Sequence, residues 1–407
     1  MKLTIGPGAL VAAAFIGPGT VTACTMAGAN FGFGLLWALV FASVATMILQ
    51  GMSARLGAGA QLGLGEALLA GAPHPLLKFA LGALVVLALG VGNAAYEGGN
   101  LSGGALGLEA IIGEAASPQS LSQIVMAISL VAAALLLLGG YRFIEKVLVC
   151  LVVLMALAFA ISAVLVRPDI AAFAAGLVPH IPENGLFTAI ALIGTTIVPY
   201  NLFLHAAAAK NRWSKADDAS VEAAQSDTYL SVGLGGLISI LILSTAASSL
   251  FGHNAGISNA VDMAAAIEPT YGAFARYLVG FGLLAAGVSS AVTAPMATAY
   301  AVCEIVKLGD KRESETLFKG TALLILLVGT IVAVSGVRPT QIIFVAQIAN
   351  GLLLPVIAGS LLFAMNQKTL LGHHVNGLLS NILGIGVVLI TLLMGVRGIG
   401  LATGFWP

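Results

Sequence analysis

The sequence predicts an all-α integral membrane protein in which eleven transmembrane helices form a single domain. Hydrophobic residues make up 59% of the 407 residues and charged residues only 8%, whereas soluble proteins carry roughly 25% charged residues. Apolar segments recur along the whole chain, and about 20 such residues suffice to cross a bilayer. These segments must be helical, because open backbone cannot face hydrocarbon. The formal net charge of zero gives no indication of a nucleic-acid partner.

Eleven apolar segments are long enough to span the bilayer, and two of them are interrupted. The predicted spans are 5–29 (interrupted), 33–54, 76–108, 120–139, 143–166, 185–210 (interrupted), 229–250, 272–306, 319–337, 341–364 and 375–397. The segments 76–108 and 272–306 exceed the usual length, so we expect them to tilt or to extend beyond the bilayer. The whole chain, 1–407, is predicted to be one membrane domain.

The distribution of basic residues predicts the orientation. If the N-terminus is inside, thirteen of the seventeen lysines and arginines fall in inner loops, and only Arg167, Arg276, Arg338 and Arg397 fall outside. Cytoplasmic loops of membrane proteins carry such an excess. We therefore expect a cytoplasmic N-terminus, and we expect a monomer in the lipid bilayer of a bacterial inner membrane.

The two interruptions lie at matching places in the chain. "FIGPGTV" breaks the first span at Gly17, Pro18 and Gly19, and "IGTTIVPYNLFLH" breaks the sixth at Pro199. Each break falls in the first helix of a five-helix block, namely 1–166 and 185–364, with 375–397 as an additional helix. Interrupted helices at corresponding positions of two halves are typical of inverted-repeat transporters, whose substrate sites lie at the breaks. The alternative is a pair of simple proline kinks, since proline is common in membrane helices.

Several segments resemble the NRAMP family of divalent metal-ion transporters, which have a LeuT-like fold. The similar segments are "GPGTVTACTMAGANFGFGLLW", "LQGMSARLG", "IVPYNLFLHA", "SDTYLS", "GLLAAGVSSAVTAP" and "AQIANGLLLP". They extend over most of the chain. The resemblance implies a secondary transporter that works by alternating access, with broken first and sixth helices.

The resemblance also implies a substrate site, but the metal ligands of the family are replaced in it. Gly17 stands at the family's Asp position, Thr20 at its Asn position, Val198 at its Met position and Tyr200 at an adjacent His position. Thr195 stands where the family supplies a backbone carbonyl. The implied substrate-binding residues are Gly17, Gly19, Thr20, Thr195, Val198, Tyr200 and Gln347.

This replacement predicts a change of cargo. Mn²⁺ and Fe²⁺ prefer anionic oxygen, imidazole or sulfur ligands, and these positions offer none, so no metal site is predicted. Helix N-termini favour anions, which leads to the hypothesis of a small anion such as bicarbonate or a short carboxylate. The alternatives are a divalent metal ion (Mn²⁺, Fe²⁺ or Mg²⁺), a neutral or zwitterionic solute, and a sensor that transports nothing. No nucleophile–base constellation indicates an enzyme, and no cofactor is expected.

Two ionisable residues are candidates for coupling to a proton or another cation. Glu97 lies in the third span, and an intramembrane carboxylate is by default a functional candidate. The family carries a Glu at this place on its proton route, whereas Ala94 occupies the position of a nearby family Asp. His205 matches a retained family histidine. The alternatives are a structural Glu97 bonded to neighbouring polar groups and a neutral, packed His205.

Three further residues are assigned to coupling or gating. They are Asn93, Gln50 and Asp227. Asp227 is also a candidate N-cap of the seventh helix. His373 and His374 are predicted to lie in a loop and are assigned no role, because an adjacent pair is not a metal motif by itself.

Overall fold

A computed structural model of the chain describes residues 6–113, 117–138, 142–253, 256–306 and 311–404. The regular structure in these ranges is helical. The helices are α1 (Pro7–Phe15), α2 (Pro18–Phe31), α3 (Leu36–Ala60), α4 (Leu64–Gly71), α5 (Pro75–Ile112), α6 (Pro118–Leu138), α7 (Arg142–Val166), α8 (Ile170–Gly176), α9 (Leu186–Thr196), α10 (Pro199–Arg212), α11 (Asp218–Leu250), α12 (Ala260–Ala264), α13 (Glu268–Tyr271), α14 (Ala275–Val306), α15 (Lys311–Ala333), α16 (Pro339–Met365), α17 (Lys368–Leu371) and α18 (Leu378–Ala402). Short 3₁₀ turns lie at Gly272–Phe274 and Gly372–His374.

The predicted all-α membrane architecture is confirmed. Ten stretches among the described residues are long and apolar enough to cross a membrane. As predicted, the first and sixth spans are interrupted: the first consists of two short helices, α1 and α2, and the sixth, which is one of the ten stretches, consists of α9 and α10. The count of eleven spans stays a prediction, because the two pieces of the first span are too short to be counted by length alone.

Both interruptions have the same local cause. Pro18 and Pro199 each occupy the first position of a new helix, α2 and α10, where the missing N–H of proline costs no helical hydrogen bond. The preceding residues, Gly17 and Val198, are extended (ψ −173° and 119°). Proline disfavours helical geometry in the residue before it, so each span stops and restarts at this point.

One predicted boundary is wrong in a way that affects a site residue. The seventh span was expected at 229–250, but α11 already begins at Asp218. Its first turns are rich in charged and polar residues, so hydropathy alone does not reveal them. Asp217 caps the helix by accepting a hydrogen bond from the Ser220 N–H at 2.8 Å. Asp227 therefore lies inside the helix and does not cap it.

Helices α5 and α14 pack closely against each other. Helices α5 and α14 approach so closely that a Cβ atom added at Gly287 would lie 2.6 Å from the Gly104 Cα. A Cβ added at Gly107 would lie 2.6 Å from the Gly280 carbonyl oxygen. Small residues permit this approach in membrane helices, where packing drives association. Two helices that bear polar side chains are thereby held against the first break.

The broken sixth span is the most enclosed of the candidate spans. An 18-residue stretch of it is 94% buried, against 22% for α6. The second half of the broken first span is also enclosed, since nine of the ten residues from Pro18 to Ala27 are buried, Met26 being the exception. The two breaks therefore lie in the interior, surrounded by the other helices.

Candidate functional site

A hydrogen bond joins the two breaks directly. The Thr20 hydroxyl lies 2.9 Å from the Thr195 hydroxyl, and it also donates to the Phe15 carbonyl at the end of α1. Because its proton is directed to Phe15, the Thr195 hydroxyl is the donor within the threonine pair. Thr20 and Thr195 are fully buried. The pair links α2 to α9 where helical hydrogen bonding is interrupted in both spans.

Hydroxyl groups surround the position that Gly17 leaves open. A Cβ atom added at Gly17 would lie 3.5 Å from the Ser290 hydroxyl and 3.9 Å from the Tyr96 hydroxyl. These are ordinary van der Waals distances, so a Cβ atom would fit. The Tyr96 ring packs edge-to-face on the Tyr200 ring, with centroids 5.5 Å apart. Three helices, α5, α10 and α14, thus present hydroxyl-bearing side chains around the first break.

Gln347 of α16 closes another side of the site. A Cβ atom added at Gly19 would overlap the Gln347 side-chain amide, and one added at Gly194 would overlap the Gln347 backbone carbonyl. The amide nitrogen of Gln347 donates to the Ile343 carbonyl at 3.2 Å. Gly19 therefore provides the space that this amide occupies beside the break.

Several buried polar atoms at the breaks have no hydrogen-bond partner among the described residues. They are the Tyr200 hydroxyl, the Gln347 amide oxygen and both side-chain amide atoms of Asn201. A buried polar atom without a partner costs about 1–3 kcal/mol, so such atoms are rare unless something else binds them. These atoms are the available donors and acceptors for a bound solute.

The side chains at the two breaks carry no fixed charge. The predicted site residues supply hydroxyls, amides and an apolar Val198, which is fully buried. Across the part of the chain that the structure describes, one group of three or more His, Cys, Asp or Glu residues could hold a metal ion, and it does not include the break residues. A divalent ion at the breaks would therefore have neutral oxygens as its only ligands, with little to offset its desolvation.

Glu97 is buried on α5, directly after Tyr96 in the chain. One of its carboxylate oxygens accepts from the Asn100 side-chain amide at 3.2 Å, and the other has no hydrogen-bond partner within the described ranges. Its methylene groups pack on Gly329 of α15, where a Cβ would overlap them. The structure supports both interpretations in part: Asn100 anchors the side chain, and one oxygen remains available for a proton.

The other predicted coupling residues form separate contacts. The His205 Nδ1 atom lies 2.8 Å from the Gln50 amide oxygen, and its Nε2 atom lies 3.4 Å from the Thr228 hydroxyl. This buried group links α10 to α3 and α11. Asn93 donates to the Thr298 hydroxyl at 2.5 Å, which links α5 to α14. These contacts explain the polarity of Gln50 and Asn93 through helix packing.

Asp227 binds the start of the first broken span. Its two carboxylate oxygens accept hydrogen bonds from the backbone N–H groups of Gly6 and Gly8, at 3.0 and 2.7 Å. The N-terminus of α1 has unsatisfied N–H groups and a partial positive charge, and Asp227 meets both needs from α11. Asp227 therefore caps α1, whereas the sequence analysis expected it to cap the seventh helix.

A family comparison decides the relationship of this fold to known proteins. The family model described as "Natural resistance-associated macrophage protein-like" matches residues 8–400. The chain belongs to the Nramp family. Among its relatives, the divalent metal cation transporter MntH of Yersinia pestis (strain Pestoides F) is 27% identical over 402 residues, which cover 96% of this chain and 93% of that relative. The predicted family resemblance is therefore confirmed.

Solved structures share the fold of this chain. The manganese transporter of Eremococcus coleocola is 24% identical, covers 97% of this chain and 85% of its own, and superposes with a TM-score of 0.78. Mhp1, a nucleobase-cation-symport-1 family transporter, superposes in a closed conformation with a TM-score of 0.56 at 14% identity, over 99% of this chain and 94% of its own. The LeuT-like architecture predicted for this Nramp family member is confirmed.

Sequence analysis missed several residues at the site. Tyr96 and Ser290 border the position that Gly17 leaves open, and Asn201 follows the second break with an unpartnered amide. A partial signal was present, since Tyr96 precedes Glu97 and Ser290 lies in the segment "GLLAAGVSSAVTAP". The packing of α14 against the first break could not be inferred from either segment alone.

Proposed function

We propose that this Nramp family member transports a small anion, such as bicarbonate or a short carboxylate, by alternating access at the two breaks. The observation that carries the proposal is the uncharged side-chain set at the breaks. Hydroxyl and amide groups from six helices converge there, and several of them have no partner within the described chain. Such groups bind a small solute without requiring it to be a cation.

Helix termini favour an anion at this place. Helices α2 and α10 both begin at the breaks and are 14 residues long, and the start of a helix carries a partial positive charge of roughly half an elementary charge. Gly17 places no carboxylate next to the start of α2. An anion therefore meets two favourable helix ends and hydroxyl donors, with no fixed negative charge on the break residues to repel it.

Transport requires that this buried site open to each side in turn. Thr20, Thr195 and Tyr200 are fully buried, so a solute cannot reach them without movement of the surrounding helices. The Asp227 contacts with the start of α1 are suited to hold one face closed. We further propose that Glu97 takes up a proton during the cycle, since one of its oxygens is free of protein partners in the described part of the chain.

A divalent metal cation is the second candidate cargo, and the comparisons favour it. The Yersinia pestis relative is a divalent metal cation transporter, and the Eremococcus coleocola protein is a manganese transporter. Backbone carbonyls at the ends of α1 and α9, together with Thr20 and Gln347, are its available oxygen ligands. Hard ions such as Mg²⁺ accept oxygen ligands, although their sites usually include one or two carboxylates.

Three further features belong to this proposal. We place the N-terminus in the cytoplasm because of the positive-inside asymmetry, and we expect a monomer in a bacterial inner membrane. We also assign residues 1–166 and 185–364 to two inverted repeats, because each block begins with a broken helix that restarts at a proline. The segment 375–397, within α18, remains outside both repeats.

Flux measurements in proteoliposomes distinguish the two cargoes. Purified protein would be reconstituted with an internal pH dye for bicarbonate and short carboxylates, and in parallel with an internal divalent-metal dye for Mn²⁺ and Mg²⁺. Protein-free liposomes correct for leakage of CO₂ and uncharged acids. The anion proposal predicts saturable anion flux that divalent cations leave unchanged. Saturable Mn²⁺ or Mg²⁺ flux without anion flux would establish the second candidate instead.

A further inference from the structure

Two distant segments bring together three metal-ligating side chains outside the central site. Asp218 is the first residue of α11, and His373 and His374 lie in the 3₁₀ turn between α17 and α18. Their ligand atoms all lie within 4.8 Å of one another. The cluster lies on the side of the molecule where α3 ends and α1 begins. His374 packs on Gly59 near the end of α3. Asp218 belongs to the same helix as Asp227, which binds Gly6 just before α1.

Two separations between the ligand atoms are close to those of a tetrahedral metal site. The Asp218 Oδ1 atom lies 2.9 Å from His373 Nε2 and 3.5 Å from His374 Nε2. Ligands at about 2.0–2.2 Å from a tetrahedral Zn²⁺ lie about 3.4 Å from each other. The Asp218–His374 separation is close to this value, and the Asp218–His373 separation is about 0.5 Å shorter than it.

The local backbone makes this convergence possible. Gly372 has a φ of +55°, in the left-handed region that glycine adopts without strain. The following turn brings the rings of two consecutive histidines to 3.9 Å between centroids. Both imidazoles consequently lie next to the same aspartate, although adjacent residues commonly point apart.

His374 supplies the independent evidence for a ligand. Its side chain is 10% exposed, and its Nε2 atom has no hydrogen-bond partner among the described residues although it faces Asp218. His373 and Asp218 remain largely exposed, at 75% and 81%, which leaves the site accessible.

We propose that Asp218, His373 and His374 bind a divalent transition-metal ion, such as Zn²⁺, Co²⁺ or Ni²⁺, with water in the remaining position. Imidazole and carboxylate ligands suit these metals, and two histidines with one carboxylate form a known ligand set. The ion would tie the start of α11 to the link between α16 and α18, across 155 residues of sequence. This site is independent of the cargo that passes through the breaks.

The competing explanation needs no metal. The 2.9 Å contact between His373 and Asp218 is also a good hydrogen bond, and the positive charge of Arg55 acts on His374 and disfavours a nearby cation. On this explanation the three residues only stabilise the turn, and Zn²⁺ binding would not depend on them.

Equilibrium dialysis against Zn²⁺ tests the proposal on the full-length, detergent-solubilised protein after removal of any affinity tag. Bound zinc would be counted by elemental analysis for the wild type, His373→Ala/His374→Ala and Asp218→Asn. The matched control is His74→Ala/His253→Ala, which removes two exposed histidines elsewhere. Each variant would first be checked for a single, monodisperse peak in size-exclusion chromatography.

The proposal predicts one Zn²⁺ per chain that is lost in the His373→Ala/His374→Ala variant and kept in the control. Asp218→Asn should weaken the affinity by roughly tenfold or more, since ligand and near-ligand changes cost at least this much. Equal zinc binding by the wild type and the His373→Ala/His374→Ala variant would overturn the proposal. So would equal losses in that variant and in the control.

Discussion

The hydroxyls of Thr20 and Thr195 lie 2.9 Å apart and connect the breaks of the two interrupted spans. The residues are separated by 175 positions in sequence, yet each lies next to the break in its own span. Thr20 lies near the start of α2 and Thr195 near the end of α9. The hydrogen bond between them connects the two breaks in this structure. Because Thr20 also donates to Phe15, one side chain contacts both halves of the first span and one half of the sixth.

Replacing Thr20 by valine tests the importance of this link. Valine keeps the shape but removes the hydroxyl, so the Phe15 carbonyl and the Thr195 hydroxyl both lose a buried partner. We expect a loss of about 1–3 kcal/mol in stability together with a clear fall in solute flux, measured by thermal unfolding in detergent and by uptake into proteoliposomes. Thr20→Ser keeps the hydroxyl and serves as the control. Wild-type flux in Thr20→Val would show that the link is not needed for transport.

Glu97→Gln tests whether the intramembrane carboxylate couples transport to protons. Glutamine can keep the hydrogen bond to Asn100 but cannot take up a proton at neutral pH. We expect solute uptake by this variant to lose its dependence on an imposed proton gradient, while the protein remains folded. Asn100→Ala is the comparison for a purely structural effect, because it removes the anchor and keeps the carboxylate. Unchanged gradient dependence in Glu97→Gln would assign Glu97 a structural role.

The glycine contact between α5 and α14 predicts a stability difference between two conservative changes. In Gly287→Ala the new methyl group would lie 2.6 Å from the Gly104 Cα, so the helices must separate. Overpacking of this kind typically costs about 1–3 kcal/mol. Gly359→Ala in α16 meets nothing within 4 Å and should leave the unfolding temperature unchanged or slightly raised. Equal unfolding temperatures for the two variants would contradict the packing described for α5 and α14.

The contacts of Asp227 lead to a prediction about how strongly the first half-helix, α1, is restrained. In Asp227→Ala the N–H groups of Gly6 and Gly8 lose their acceptors, so we expect faster amide hydrogen exchange over α1. The matched control is Asp169→Ala, which removes a similar pair of amide contacts at the start of α8 and should leave α1 unaffected. Exchange over α1 that does not differ between the two variants would show that Asp227 does not restrain this helix.

Sequence analysis predicted the membrane class and the two breaks because these depend on local chemistry. Low charge content and apolar segments indicate spans, and Pro18 and Pro199 indicate where a helix restarts. The seventh helix began earlier than expected, because its start at Asp218 is polar and lies beyond the apolar stretch. Asp227 was thereby placed at a helix end, whereas its actual partners, Gly6 and Gly8, lie 219–221 residues away.

The site was predicted in part for a related reason. The family resemblance placed Thr20, Thr195, Tyr200 and Gln347 at the breaks, and the structure brings their elements together. The positions of Tyr96 and Ser290 depend on how α5 and α14 pack on α2, and no local pattern encodes that. The cluster of Asp218 with the His373–His374 pair was missed because its members belong to the start of α11 and to a turn before α18, which lie far apart in sequence.

The central claim is that the missing carboxylate at position 17 determines which cargo the site accepts. The most direct measurement is Mn²⁺ binding by isothermal titration calorimetry to the wild type and to Gly17→Asp, with the isosteric but neutral Gly17→Asn as the control. A Cβ atom at this position lies at ordinary van der Waals distances from the Ser290 and Tyr96 hydroxyls. To exclude Mn²⁺ binding at the peripheral histidines, all three proteins would carry His373→Ala/His374→Ala. We predict no Mn²⁺ binding by the protein with Gly17 or Gly17→Asn and measurable binding by Gly17→Asp. Tight Mn²⁺ binding by the protein that retains Gly17 would contradict the account.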